Sequence, residues 1–79
     1  MPSFYFHMIG PKGRLEDFEG SELLDLNVAR QEAIKDARTL MSEAILKGKD
    51  ISGGYIEICD GEGRVLLVLP FTDAITGRR

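Results

Sequence analysis

One histidine and one cysteine set the limits of what this 79-residue chain can do chemically. With His7 alone, a histidine metal cluster or a relay between two histidines is excluded. A nucleophilic pair of Cys59 with His7 requires that their strands be neighbours and that a third group orient the imidazole. The sequence supplies no candidate for that third group. His7 stands opposite in phase to Phe4, Phe6 and Met8, so it belongs on the other strand face, packed or solvated. Cys59 shares its face with Glu57 and reads as a structural thiol. Gly48-Lys49-Asp50 and Ser52-Gly53-Gly54 have the flavour of phosphate loops, but the Walker spacing is missing and the segment follows a helix instead of opening one. Asp60-Gly61-Glu62-Gly63 offers two carboxylates, whereas a calcium loop takes about five oxygen ligands over roughly twelve residues. No catalytic residue, cofactor site or metal site is expected, and the chain reads as a non-enzyme.

The composition narrows the setting. A chain of this length forms one domain, residues 1–79, and buries only roughly 60% of its unfolded surface. Cys59, having no intrachain partner, cannot staple it, and a lone cysteine fits a reducing compartment. No apolar run reaches the roughly 20 residues that span a bilayer. Met1-Pro2-Ser3-Phe4 lacks the basic and apolar stretches of a secretory signal, so a cytoplasmic location is expected. Thirteen acids against ten bases give a net charge of −3, which argues against a nucleic-acid binder. Glu16, Asp17, Glu19, Glu22 and Asp25 occupy residues 16–25 without a base between them. Such a segment is either a solvated loop or a surface for a basic protein.

Periodicity assigns these residues to strands, turns and one helix. Ser3 to Ile9 is aromatic and β-branched, as a strand requires. Gly10-Pro11-Lys12-Gly13 then forms a turn, with Gly13 as the left-handed residue of a three-residue hairpin loop. Arg14 to Phe18 suits a short polar edge strand that ends at Glu19-Gly20-Ser21. Asp25 is a helix N-cap and Gly48 a C′ residue, which predicts a helix over about 26–47. Leu26, Ala29, Ala33, Ala37, Leu40, Met41 and Ala44 form its apolar stripe, with Ala33, Ala37, Leu40 and Ala44 expected to be buried. Glu43 and Lys47 form an i,i+4 pair. Tyr55 to Cys59 alternates, with Ile56 and Ile58 on the core face beside Phe4 and Phe6. Asp60 to Gly63 is a second turn with Gly63 placed like Gly13. Arg64 to Phe71 is the last strand, its run Val65 to Leu69 apolar on both faces. Thr72 to Ile75 starts a helical turn before a frayed Gly77-Arg78-Arg79 tail.

These elements define an α+β fold, ββαββ, with one long amphipathic helix on one face of a four-stranded, mainly antiparallel sheet. Numbering the strands along the chain, the order 2-1-3-4 keeps every pair antiparallel and is favoured. The order 2-1-4-3 centres the most apolar strands but needs a parallel pair. One helix covers one face only. Val65, Leu67, Leu69 and Phe71 are expected to face it, leaving Tyr5, Ile9, Tyr55, Leu66 and Val68 as an apolar patch on the other side. A patch of that kind marks an interface, and a two-fold homodimer is the simplest way to cover it. The competing expectation has Phe71 to Ile75 folding back over the patch, or His7 and Glu57 breaking it.

Taken together, Tyr5-Phe6, Glu19-Gly20-Ser21-Glu22-Leu23, Asp25-Leu26 and the helix spaced by Ala29, Ala33 and Ala37 form a recognisable opening. Gly48-Lys49-Asp50-Ile51-Ser52-Gly53, Ile56-Glu57-Ile58, Gly63-Arg64-Val65-Leu66 and Pro70-Phe71-Thr72-Asp73-Ala74 continue it. In this ordered set the chain resembles a family of short bacterial proteins, common in soil alphaproteobacteria, catalogued as a domain of unknown function. The resemblance covers nearly the whole chain and implies no activity. It implies an acid or similar polar residue at position 7, so His7 is individual to this chain. A hairpin followed by an alanine-rich helix is also similar to HicB-type antitoxin domains, though no DNA-binding tail is expected here and the acidic balance fits toxin binding better than DNA binding. The leading expectation is a small interaction or regulatory module that self-associates. The alternatives are an antitoxin-like neutraliser of a basic partner through residues 16–25, and an enzyme or small-ligand binder using Cys59 and His7.

Overall fold

The computed structural model describes residues 1–75. Its elements are β1 (Ser3–Gly10), β2 (Gly13–Leu15), β3 (Ser21–Glu22), α1 (Leu26–Leu46), β4 (Tyr55–Cys59), β5 (Val65–Pro70) and a 3-10 turn, η1 (Phe71–Ala74). The sheet runs β2-β1-β4-β5, and every pairing is antiparallel. This is the favoured order of the two, with the helix crossing between the paired strands β1 and β4. No described helix is long and apolar enough to cross a membrane.

The helix begins and ends where its caps dictate. The Asp25 carboxylate accepts the Val28 N–H at 2.9 Å. At the other end Gly48, at φ 77°, lets its own N–H reach the Ile45 carbonyl and the Lys49 N–H reach that of Ala44, both at 2.8 Å. These two bonds satisfy carbonyls the helix itself leaves open. Ala29, Ala33, Ala37 and Met41, spaced by four, form the buried line against Phe4, Phe6, Ile56, Ile58, Leu69 and Phe71. Leu40 and Ala44, expected in that line, are only half-buried. They lie one step round the helix, above a groove instead of the sheet. Among the described residues Glu43 and Lys47 do not form the expected ion pair; the helix pair present is Glu32 with Lys35, at 3.4 Å.

The edge beside β1 departs furthest from expectation. In place of one strand over Arg14 to Phe18 there are two short ones, because residues 16–20 leave the sheet and β3 rejoins β1 at Ser3 and Phe4. The sheet thereby gains a fifth strand. The first turn is also tighter than a three-residue loop, since only Pro11 and Lys12 separate the paired Gly10 and Gly13. At the opposite edge a bulge opens between the Ile58–Leu67 and Cys59–Val65 pairs. It turns Val65 away from the helix and into the row of Cys59, against expectation. Leu67, Leu69 and Phe71 keep the orientation expected of them. The segment after β5 packs on the helix side: Phe71 and Ala74 join the core, and the Arg38 Nε–H donates to the Ala74 carbonyl at 2.7 Å. It does not return across the open face. The Gly77-Arg78-Arg79 tail lies outside the described residues.

Candidate functional site

The face of the sheet away from α1 takes its row of side chains from the strand registers. Tyr5 pairs with Cys59, His7 with Glu57, and Ile9 with Tyr55; Arg14 pairs with Ile9 and Val68 with Glu57. Paired residues in an antiparallel ladder point to the same side. The candidate residues Tyr5, Ile9, Tyr55 and Val68 therefore do share one face, as the alternation of β1 and β4 predicts, with Leu66 on the bulge beside them.

That face is divided, however. On its β1–β2 half, Arg14 donates to Glu16 and to Glu57, each at 2.9 Å. Residues 16–20 fold against the same half. A Cβ on Gly20 would lie 2.7 Å from the Tyr5 ring, so only glycine lets the loop come this close, and its φ of 71° suits glycine as well. The ion pair reaches Glu57 on β4, directly opposite Val68, and β5 lies beyond it. Val65, Leu66 and Val68 remain 51%, 41% and 49% exposed there. The apolar patch is thus narrower than the alternation implies, and the bulge adds Val65 to it.

His7 and Cys59 do lie on neighbouring strands, but diagonally, because Tyr5 stands opposite Cys59 and Glu57 opposite His7. His7 is 9% exposed. Its Nδ1 accepts the Asp17 N–H at 3.1 Å, which fixes the neutral ring with its proton on Nε2. The Glu16 carboxylate 3.5 Å from the same Nδ1 is then a neighbour and not an ion-pair partner. Cys59 is 2% exposed. Burial, followed by the nearby Glu57 carboxylate, pushes its thiol up, so the thiolate is disfavoured at neutral pH. The geometry offers a packed histidine and a protonated thiol, with no group activating either.

Asp17, which sequence reasoning treated as one acid among several, organises this edge. Its Oδ2 accepts the Phe6 N–H at 3.1 Å, replacing the strand partner that β1 lacks between β2 and β3. Its Oδ1 accepts the N–H groups of Glu19 and Gly20 at 3.2 and 3.1 Å. Burial pushes this carboxyl up, but the N–H donors of Phe6, Gly20 and Glu19 more than offset it and hold it below the usual range. An aspartate three residues before a glycine is an Asx-turn signal, and that spacing was the available clue.

Two grooves flank β1 on the helix side. One, of about 420 Å³, has Asp17, Glu32 and Asp36 at its walls over Phe6 and Met8. Burial there, then Glu32 and Asp17, push Asp36 up. The other, of about 600 Å³, lies between the β1–β2 turn and the C-terminal half of α1. Among the described residues no three His, Cys, Asp or Glu side chains approach closely enough to hold a metal ion.

The profile of a sequence family described as a domain of unknown function, DUF6894, matches residues 3–72. No curated protein and no solved structure matches the chain.

Proposed function

This chain belongs to the DUF6894 family, and we propose that it is a small, non-catalytic interaction module of the cytoplasm that self-associates as a homodimer. The observation that carries this reading is the β4–β5 half of the open face. Val65, Leu66 and Val68 stay about half exposed there, and the C-terminal turn that was the nearest candidate to cover them docks on α1 instead. β5 is also an edge strand, with a hydrogen-bonded neighbour on one side only. Its side chains and its outer main-chain groups therefore lie next to one another on one surface open to a second copy. Sedimentation equilibrium at micromolar concentration tests the reading. A dimer mass is expected for the parent and a monomer mass for Val68→Asp; a parent that sediments as a clean monomer overturns it.

A second reading is favoured by Phe18. This ring is 86% exposed at the tip of the loop over residues 16–20, with Glu16 and Glu19 about it. An apolar anchor ringed by acids suits docking onto a basic protein, as the antitoxin-like alternative requires. Affinity capture from native lysate should then recover a basic protein with the parent and lose it with Phe18→Ala plus Glu19→Lys.

A further inference from the structure

The larger groove combines an apolar floor with a crowded, unpaired positive rim. Met8 and Leu15 from the sheet edge, Leu40 and Ala44 from α1, and Ile51 and Phe71 from the segments beyond the helix line it. Its volume of about 600 Å³ is in the range of roughly 300–1,000 Å³ that small-molecule sites occupy. Leu40, which also packs against the core, and Ala44 are half-buried and line the groove.

The rim carries Lys12, Lys47 and Lys49. Two of these come after the end of α1, where positive charge complements the helix dipole. Lys12 does not share that explanation, since it comes from the β1–β2 turn and is brought to the same mouth by the fold. It lies close enough that its ammonium, followed by burial and Lys47, holds Lys49 below its ordinary value. Among the described residues none of the three lysines has a carboxylate within ion-pair distance. The two acids on the same walls reduce the net charge of the rim but do not pair with the lysines. Asp50 is turned to Ser52, whose N–H it accepts at 2.9 Å, and among the described residues Glu43 makes no ion pair. Nor are the lysines needed to satisfy the last turn of the helix, because the Gly48 and Lys49 main-chain N–H groups already do so. A chain with a net charge of −3 has thus gathered three cations over partly exposed apolar surface, with no ion-pair partner among the described residues.

We propose that this groove binds an amphipathic anion, with an unbranched apolar tail on Met8, Leu15 and Leu40 and a carboxylate or phosphate head held by Lys12 and Lys49. Head and tail are both required. The lysines alone face water, where each exposed contact is weak. The floor alone would take any apolar molecule. This site lies on the helix side of the sheet and is independent of the dimer surface at β5.

Titration of the intact 15N-labelled chain with decanoate and with decyl phosphate, monitored by heteronuclear NMR, tests the proposal. Saturable shifts are expected at Lys12, Gly13, Ala44 and Lys49 to Ile51. A stronger response to one probe identifies the carboxylate or the phosphate as the preferred head. Butanoate, which keeps the head, and decanol, which keeps the tail, should each bind about tenfold or more weakly, a difference of about 1.4 kcal/mol. Lys12→Gln with Lys49→Gln should weaken decanoate by a similar factor while the rest of the spectrum stays in place. Ala44→Leu, which fills the floor, should weaken decanoate with the lysines intact. The proposal is overturned by non-saturable shifts, by equal response to decanol and decanoate, by shifts centred on Val65 to Val68, or by undiminished affinity in the double lysine variant.

Discussion

The Asp17 carboxylate accepts main-chain N–H groups from Phe6, Glu19 and Gly20, and its own N–H donates to His7. One side chain thereby closes a gap in a sheet edge and fixes the tautomer of the only histidine. Asp17→Asn keeps the shape but loses the charge and part of the acceptor capacity. It should cost about 1–2 kcal/mol at pH 7, a figure kept low because the site is only half-buried. The sign of the pH dependence comes from the lowered folded value. The stabilisation is complete above the unfolded value of about 4 and is lost as pH falls through the folded one. Urea melts of parent and Asp17→Asn should therefore differ at pH 7 and converge towards pH 2; a constant gap would exclude this role. Cys59, buried and held protonated, should react with a thiol reagent at pH 7 about tenfold or more slowly than in the urea-unfolded chain. Rapid labelling of the folded protein at pH 6 would restore the enzyme reading. For these two residues the sequence shows which face His7 and Cys59 occupy, because alternation fixes it. It does not show their partners, which depend on a loop that leaves the ladder.

Helix α1 was legible almost to the residue, since the Asp25 and Gly48 caps and the alanine spacing are local features. Less legible was which side of the stripe meets the sheet. Ala29, Ala33, Ala37 and Met41 are buried, while Leu40 borders the groove. The stripe spans several rows of side chains, and only the tilt of the helix on the sheet decides between them. Met41→Ala should accordingly cost about 2–4 kcal/mol, and Leu40→Ala about 1–2 kcal/mol because part of its surface already meets water. Chemical denaturation of both variants checks the order; a larger loss for Leu40→Ala would place the helix one step round. The two sheet edges escaped sequence reading for a related reason. The loop between β2 and β3, and the single extra residue at Leu66, each leave the local pattern strand-like while changing the register of the neighbouring residues. After the β5 bulge the expected row holds for Leu67 and Leu69, and before it Val65 has changed sides. The first turn shows the same insensitivity, since Gly13 takes its positive φ in a loop one residue shorter than expected.

Across the molecule, one helix on a five-stranded sheet leaves half of the sheet's side chains without a second layer. The charged half of that open face finds its cover locally, through Arg14, Glu57 and the loop over Asp17 to Gly20. The apolar half at β5 does not, and its exposed valines lie on an edge strand whose outer main-chain groups are also free. A domain of this size has little stability to spare, on the order of 5 kcal/mol. Covering that surface with a second copy would therefore be a large fraction of the total. Stability should then depend on protein concentration, since only the folded state pairs. Each tenfold increase in concentration should raise the melting temperature of the parent by about 3–6 °C, because half of about 1.4 kcal/mol falls to each chain and a domain of this length shifts by roughly 4–8 °C per kcal/mol. Val68→Asp should abolish that dependence and melt near the low-concentration limit of the parent. A parent whose melting temperature is the same at 2 µM and 200 µM, tested across this roughly hundredfold span, would mean that β5 is stable in water as it stands. The valines would then be ordinary exposed strand residues and the dimer would be ruled out.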